Sequence, residues 1–278
     1  MMNPRAFVAS LLVGSRHTSL LVLMGLAVFL LSGSGPIQAQ GELTYSQYRD
    51  LSWAANRIEH VTKFEPIHGE EGMFFAIADR YGTVQVSKMD AQGVRIVWKS
   101  IQLSGIPDEV ITADLDGDSL DDAIICRTSN GKVYVWGLDG YGLLWESLPS
   151  EYRTISCFTT ANMDEDQANE IVMVADNRIV YVDGVTFTKS FTSINEYSAT
   201  QVRCGDVDGD RRIEVVLNSG QVIDSVSGDI EWEDETFFGK IELFDINGDG
   251  IPEILTENPG NGPLKVFDAG HRFEVRFQ

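Results

Sequence analysis

Four short segments of the sequence carry oxygen-bearing side chains at one shared spacing. They are residues 114–122, 162–170, 206–214 and 245–253, each with Asp or Asn at positions 1, 3 and 5 and an Asp or Glu at position 9. Side chains at alternating positions can converge on one hard cation if the backbone curls tightly around it. The pattern therefore predicts four cation-binding loops.

The ligands predicted in each loop are the side chains at positions 1, 3, 5 and 9. At position 7 the side chain varies, so its backbone carbonyl is the predicted ligand. Ligands that are all oxygen, without His or Cys, favour Ca²⁺ over a transition metal, and Mg²⁺ is disfavoured because it needs a near-ideal octahedron. The predicted ligand positions are Asp114, Asp116, Asp118, Leu120 and Asp122; Asn162, Asp164, Asp166, Ala168 and Glu170; Asp206, Asp208, Asp210, Arg212 and Glu214; and Asp245, Asn247, Asp249, Ile251 and Glu253.

The residues between the predicted ligands refine this interpretation. Position 4 is Gly117, Gly209 or Gly248 in three loops, and Gly permits the backbone conformations that a tight curl requires. The loop at 162–170 has Asn162 at position 1 and no Gly, so we expect it to bind most weakly. An EF-hand needs a Glu at position 12, where these segments have Ile, Met, Leu and Thr, and the EF-hand interpretation therefore fails.

A simpler interpretation is that the four segments are solvated acidic turns. Against it, the same spacing occurs four times, each time between two short apolar runs. Asp114, Asp116, Asp118 and Asp122 would also repel one another in a nine-residue loop that held no cation. We therefore favour metal binding.

The elements that must position these loops read as strands. Each acidic loop separates two apolar runs; a tight turn and a third run follow, and a fourth run completes the unit. The loops begin at intervals of 48, 44 and 39 residues, which is typical of propeller blades. Residues 57–100 show the same four runs without an acidic loop. The sequence thus predicts an all-β fold, a β-propeller of five four-stranded blades over residues 56–278.

With the loops placed between strands, the chain resembles the FG-GAP/VCBS-type calcium-binding repeats, whose best-known relatives form the integrin α-subunit propeller. The pattern D-x-D-G-D-x-x-x-D/E carries the resemblance, which covers about residues 56–278. It implies Ca²⁺ in the loop between the first two strands of a blade, and a role in adhesion, carbohydrate binding or other recognition. Integrins have seven blades and repeated FG and GAP strings, so we carry over no integrin-like ligand site. A fainter similarity links residues 131–146 and 220–233 to quinoprotein-like propellers.

The first 39 residues have the composition of a cleaved signal peptide. Arg5 and Arg16 precede an apolar run at 20–31, and small residues lead to Ala39. A run of twelve residues is short for a spanning helix, which needs about 20, so a membrane anchor is the weaker alternative. We expect cleavage after Ala39, a secreted or periplasmic chain with no membrane span, and an N-terminal segment at 40–55 before the propeller.

The net charge excludes some classes of partner, and the cysteines and tryptophans are best interpreted as packing residues. The chain has 42 Asp+Glu against 21 Lys+Arg, a net charge of −21 that would repel nucleic-acid phosphates and anionic lipids. Cys126, Cys157 and Cys204 allow at most one disulfide, and their apolar surroundings favour buried thiols. Trp98, Trp145 and Trp232, with Phe191, recur in the fourth strands, where packing between blades is favoured over sugar stacking.

Three classes of function fit such a chain. The first is a non-catalytic recognition or adhesion module for an extracytoplasmic protein or glycan, with Ca²⁺ holding its loops rigid. The second is a polysaccharide-binding lectin with aromatic platforms; the candidates are Tyr134, Trp136, Tyr141 and Tyr181. The third is a glycosidase, which needs a pair of opposed carboxylates. No acid pair stands apart from the loops, and we expect no enzymatic activity.

Overall fold

The computed structural model describes residues 61–67, 73–90, 93–164, 166–234, 239–257 and 264–275. All the regular secondary structure in these ranges is β-strand, which confirms the all-β prediction. No helix in the described part of the chain is long and apolar enough to cross a membrane. The predicted signal peptide at 1–39, the N-terminal segment at 40–55 and the loop at 68–72 lie outside the described residues.

Twenty strands form five sheets of four, here called blades 1 to 5. Their bounds follow in chain order. Blade 1 contains β1 (Val61–Ile67), β2 (Met73–Asp79), β3 (Thr83–Asp90) and β4 (Gly93–Lys99); blade 2 contains β5 (Pro107–Ala113), β6 (Ala123–Thr128), β7 (Val133–Gly137) and β8 (Leu143–Glu146); blade 3 contains β9 (Ile155–Ala161), β10 (Glu170–Ala175), β11 (Arg178–Val182) and β12 (Lys189–Thr192); blade 4 contains β13 (Val202–Gly205), β14 (Glu214–Leu217), β15 (Gln221–Asp224) and β16 (Ile230–Glu233); and blade 5 contains β17 (Ile241–Phe244), β18 (Glu253–Thr256), β19 (Lys265–Asp268) and β20 (Phe273–Val275).

Each blade is an antiparallel meander, because every strand pairs with the next one along the chain. The second and third strands are rich in β-branched residues and are buried on both faces, as in β10, where all six residues are buried. The fourth strands are largely exposed, as in β8. Five four-stranded antiparallel sheets confirm the predicted blades.

The hydrophobic core lies between blades rather than inside one sheet. Four clusters of buried side chains join blade 1 to 2, 2 to 3, 3 to 4, and 4 to 5. Between blades 2 and 3, for example, Ile125 and Val135 pack with Ile171 and Met173, all fully buried or nearly so. Burying each such side chain contributes roughly 1.5–3 kcal/mol. Neighbouring blades therefore hold each other, and with them the loops at their ends, in place.

Aromatic side chains of the fourth strands reach into the next blade. Trp98 lies edge-on to Trp136 of blade 2, with ring centroids 5.6 Å apart. Trp145 stacks on Phe187 of blade 3 at 5.7 Å, and Trp232 meets Phe267 of blade 5 at 5.8 Å. In these three strands the aromatics pack one blade against the next, as the sequence predicted.

Phe191, the fourth-strand aromatic of blade 3, also packs between neighbouring blades. The ring of Phe191 stacks on Tyr181 at 4.5 Å. It also lies against Gly228 of blade 4, where an added Cβ would approach the ring to 2.9 Å. Phe191 thus packs between its own sheet and the β15–β16 turn of blade 4.

Candidate metal centre

The four acidic segments connect the first and second strands of blades 2, 3, 4 and 5. Since this connection occupies the same place in each meander, the four loops lie at equivalent ends of their sheets. One detail differs from the sequence prediction. Glu170, Glu214 and Glu253, at position 9, are the first residues of β10, β14 and β18, whereas Asp122 precedes β6. The position-9 acid thus belongs to, or borders, the rigid sheet.

The loops share one pattern of local hydrogen bonds. In every loop the position-3 side chain accepts the backbone N–H of position 5, as between Asp208 and Asp210 at 3.0 Å. The position-5 carboxylate accepts the N–H of position 7, as between Asp210 and Arg212 at 2.7 Å. These bonds curl the backbone so that successive acidic side chains point to the same side.

Position 1 closes the curl in three of the loops. Asp114, Asp206 and Asp245 each accept the N–H groups of positions 4 and 6. Gly117, Gly209 and Gly248 at position 4 have positive φ, as does position 6 in the same loops. In blade 3, Asn162 instead donates from Nδ2 to the carbonyl of Asp166 at 2.6 Å. The blade 3 loop is therefore built differently, as its sequence indicated.

The position-9 acid is tied to the start of its loop. In each blade one of its oxygens accepts the N–H of position 2; Glu214, for example, accepts from Val207 at 2.8 Å. Glu170 and Glu214 are 2 % and 1 % exposed, and their Oε1 atoms, with Asn162 Oδ1, are buried without a hydrogen-bond partner. A buried oxygen without a donor is costly, and a bound cation would supply the missing interaction.

The pKa values of the position-9 acids in blades 2, 3 and 4 are raised by burial and by nearby acids. Burial, together with the nearby carboxylates of Asp208, Glu231 and Asp206, raises the pKa of Glu214 to about 8, although the hydrogen bond from the Val207 N–H acts in the opposite direction. Burial also raises the pKa of Glu170 and Asp122, with smaller contributions from acids in their own loops. A positive charge at the loop centre would reverse this effect.

Three of the loops bring their acids close enough to share one ion. Ligand oxygens from Asp114, Asp116 and Asp118 lie within 4.8 Å of one another. The same holds for Asp164, Asp166 and Glu170, and for Asp206, Asp208 and Asp210. These three clusters could hold a metal ion, and their all-oxygen ligands suit a hard cation.

The blade 5 loop has the same fold with one amide among its predicted ligands. Asn247 donates from Nδ2 to Glu253 Oε1 at 2.7 Å, so that both position-9 oxygens have partners in this loop. Asp245 and Asp249 accept backbone N–H groups as their counterparts do. At position 7, the N–H groups of Leu120, Ala168, Arg212 and Ile251 contact the position-5 acids, and the role of their carbonyls as ligands stays a prediction.

Sequence reasoning missed two side chains that join neighbouring loops. Gln167 and Asn169 of blade 3 hydrogen-bond to the backbone of the blade 2 loop, through the carbonyls of Gly117 and Asp114. These partners are 50 and 55 residues apart in the chain. Only the spacing of the repeats, which places the two loops side by side, could have signalled the contact.

The aromatic residues considered as sugar platforms do not form an exposed surface. Tyr134, Trp136 and Tyr181 are 6 %, 5 % and 4 % exposed and belong to the clusters between blades. Tyr141 is half-buried and stacks on Trp98 at 5.4 Å. The lectin interpretation was therefore wrong in its choice of stacking residues, because these rings are used in packing.

All three cysteines are free thiols in the structure. Cys126 and Cys157 are buried and Cys204 is half-buried. Burial raises the pKa of Cys157 to about 12, and it also raises the pKa of Cys126 and Cys204. The thiols thus act as small apolar side chains, as the sequence indicated.

Comparisons with known proteins define the fold and go no further. No protein-family model and no curated protein matches the sequence. Among solved structures, Sqt1 from Saccharomyces cerevisiae is similar with a TM-score of 0.56 and 15 % identity, over 71 % of this chain and 57 % of that one. BamB from Moraxella catarrhalis has a TM-score of 0.49 and 14 % identity, over 78 % of this chain and 64 % of that one. The chain spans less than two thirds of either structure, and the likeness to Sqt1 shows the β-propeller fold.

Proposed function

We propose that this chain is an exported, calcium-binding β-propeller that serves as a non-catalytic recognition module. One observation carries the calcium part of the proposal. The buried Oε1 atoms of Glu170 and Glu214 have no hydrogen-bond partner, and each belongs to a loop whose acids lie close enough to share one ion. A hard divalent cation held by oxygen ligands fits both the spacing and the missing interaction.

The resemblance to FG-GAP/VCBS-type repeats supports the same conclusion for the four loops. In such a chain the ions stabilise the loops that end each blade, and the blades present a fixed surface to a partner. The propeller fold is consistent with a recognition module. Export is supported by the composition of residues 1–39 alone.

We favour an extracytoplasmic protein as the partner, with a glycan as the alternative. The aromatic rings that would stack on sugars are mostly buried between blades, which weakens the case for a lectin. The regularly spaced carboxylates are committed to the loops, which weakens the case for a glycosidase.

Thermal unfolding tests the calcium sites. A ligand that binds only the native state adds about 2.7 kcal/mol per site at a hundredfold excess over Kd. For a domain of this size that corresponds to a rise in Tm of roughly 5–10 °C per site. We expect this rise in Ca²⁺ relative to chelator, and a much smaller one in Mg²⁺. Equal Tm values in all three buffers would contradict the proposal.

The double substitution Asp116→Ala and Asp118→Ala locates the effect in a loop. It should lower Tm in Ca²⁺ because two ligands are lost. In chelator it should change Tm little, because the loss of the hydrogen bonds from the N–H groups of Asp118 and Leu120 is offset by weaker repulsion among the crowded acids. Similar losses in the two buffers would mean that these acids support the fold without a cation.

A further inference from the structure

The loops of blades 2 and 3 are directly hydrogen-bonded to each other. Gln167 donates from Nε2 to the carbonyl of Gly117 at 3.1 Å, and Asn169 donates from Nδ2 to the carbonyl of Asp114 at 2.6 Å. The backbone N–H of Asn169 also donates to the carbonyl of Leu115 at 3.0 Å. Three bonds thus run from one loop to the other.

These bonds lie at the positions that matter for metal binding. On the blade 3 side they come from positions 6 and 8, which flank Ala168, the predicted carbonyl ligand. On the blade 2 side they end at positions 1, 2 and 4, and position 1 is the ligand Asp114. Each loop therefore holds the backbone that carries the other loop's ligands.

The approach of the two backbones is too close to be a loose contact. A Cβ added to Gly117 would lie 1.9 Å from the carbonyl oxygen of Gln167. Leu115 and Ala168, 2 % and 7 % exposed, are buried beneath the contact. The shape of one loop consequently fixes the position of the other.

The loops of blades 4 and 5 meet in a different way. A Cβ on Gly209 would face only the side chain of Ile251, at 2.5 Å from its Cδ1. Among the residues that the structure describes, no hydrogen bond joins these two loops. An apolar side chain end can shift at little cost, so this pair lacks the rigid connection found between blades 2 and 3.

We propose that cation binding to the loops of blades 2 and 3 is positively coupled through Gln167 and Asn169. The proposal rests on the calcium binding proposed above. An ion in the blade 2 loop orders the carbonyls that receive the two amides, so that the blade 3 loop loses less conformational freedom when it binds its own ion. The coupling is reciprocal. Both sites therefore gain the same factor in affinity, which matters most for the blade 3 loop because its Asn162, in place of an acid, predicts the weaker site.

Site-resolved calcium titration by two-dimensional NMR tests the coupling. The backbone amides of Leu120 and Ala168 report on the two loops separately, because each donates to the position-5 acid of its own site. Disabling the blade 2 site with Asp116→Ala and Asp118→Ala should raise the Kd at Ala168 by about tenfold, within the roughly 5–150-fold range of coupled sites.

Removing the connecting amides should give the same loss with the blade 2 site intact. In Gln167→Ala/Asn169→Ala, the Kd at Ala168 should rise by up to about tenfold. Disabling the blade 2 site should then raise it much less than in the parent protein, because only the bond from the Asn169 N–H to the Leu115 carbonyl still joins the two loops. If the double variant does not fold, Gln167→Ala alone can replace it, because this substitution removes only the exposed bond to the Gly117 carbonyl. Gln102→Ala is the matched control, since Gln102 Nε2 donates to the Tyr81 carbonyl at 2.6 Å away from the acidic loops.

The outcomes separate the two proposals. In one outcome, calcium shifts both amides but the Kd at Ala168 is the same with and without a working blade 2 site. That result would overturn the coupling and leave calcium binding intact. An equal effect of Gln102→Ala would also overturn it, because the loss would then reflect general destabilisation. Absence of calcium shifts at either amide would overturn the proposed function itself.

Discussion

At the scale of single residues, Glu214 shows most directly what the loops lack without an ion. Its side chain is 1 % exposed, one oxygen accepts the N–H of Val207, and the other has no donor. Burial together with nearby acids raises its pKa to about 8. The residue is therefore a source of instability that a cation would turn into a source of stability.

The substitution Glu214→Gln should consequently have opposite effects in the two buffers. In chelator above about pH 8, where the carboxylate is ionised, it removes a buried charge and supplies an N–H₂ group beside Asp206 and Asp208, so Tm should rise. In Ca²⁺ it removes a charged ligand, so the calcium-induced gain in Tm should shrink. Thermal unfolding in both buffers measures the two effects.

Glu233→Gln is the control for this experiment. Glu233 lies in the same blade, is exposed, and accepts a hydrogen bond from Gln221 at 2.6 Å. Its replacement should leave Tm nearly unchanged in either buffer. A fall in Tm for Glu214→Gln in chelator would mean that the carboxylate is satisfied without a metal.

At the scale of elements, the strands and the loop spacing could be predicted from the sequence, because both are local. A run of β-branched and apolar residues predicts a strand such as β10, and acids at fixed intervals predict each loop. The bonds from Gln167 and Asn169 could not be predicted, since they depend on how adjacent blades pack. Nor could the burial of Trp136, whose surroundings come from two blades.

Two glycines at position 4 of their loops distinguish the cost of a left-handed backbone from the cost of a collision with a neighbouring loop. Gly117 and Gly248 have φ of +78° and +81°, but a Cβ at 117 would collide with the Gln167 carbonyl and one at 248 would meet nothing within 4 Å. Gly248→Ala should cost about 1–2 kcal/mol from its left-handed backbone alone. Gly117→Ala should cost clearly more.

Denaturant unfolding in chelator gives both free energies without a contribution from the ion. The excess cost of Gly117→Ala over Gly248→Ala measures how rigidly the loops of blades 2 and 3 are joined. Equal costs for the two substitutions would show that the loops can move apart, which would remove the structural basis of their coupling.

At the scale of the whole molecule, the described clusters join the five blades in series. Blade 3 is packed on both sides, by the clusters that it shares with blades 2 and 4. The strands of blade 5 have only three or four residues, whereas those of blade 3 have four to seven. In repeat proteins the stability of a unit is set by its own folding and its contacts with neighbours. Blade 5 should therefore open more easily than blade 3.

Hydrogen exchange in chelator tests this difference. The amides of Ile254 and Phe267 in blade 5 should exchange at least about tenfold faster than those of Ile171 and Met173 in blade 3, after correction for their intrinsic rates, which corresponds to about 1.4 kcal/mol in opening free energy. Calcium should slow exchange in blade 5, because its loop links β17 to β18. Equal protection in both blades would instead show that the propeller opens as one cooperative unit.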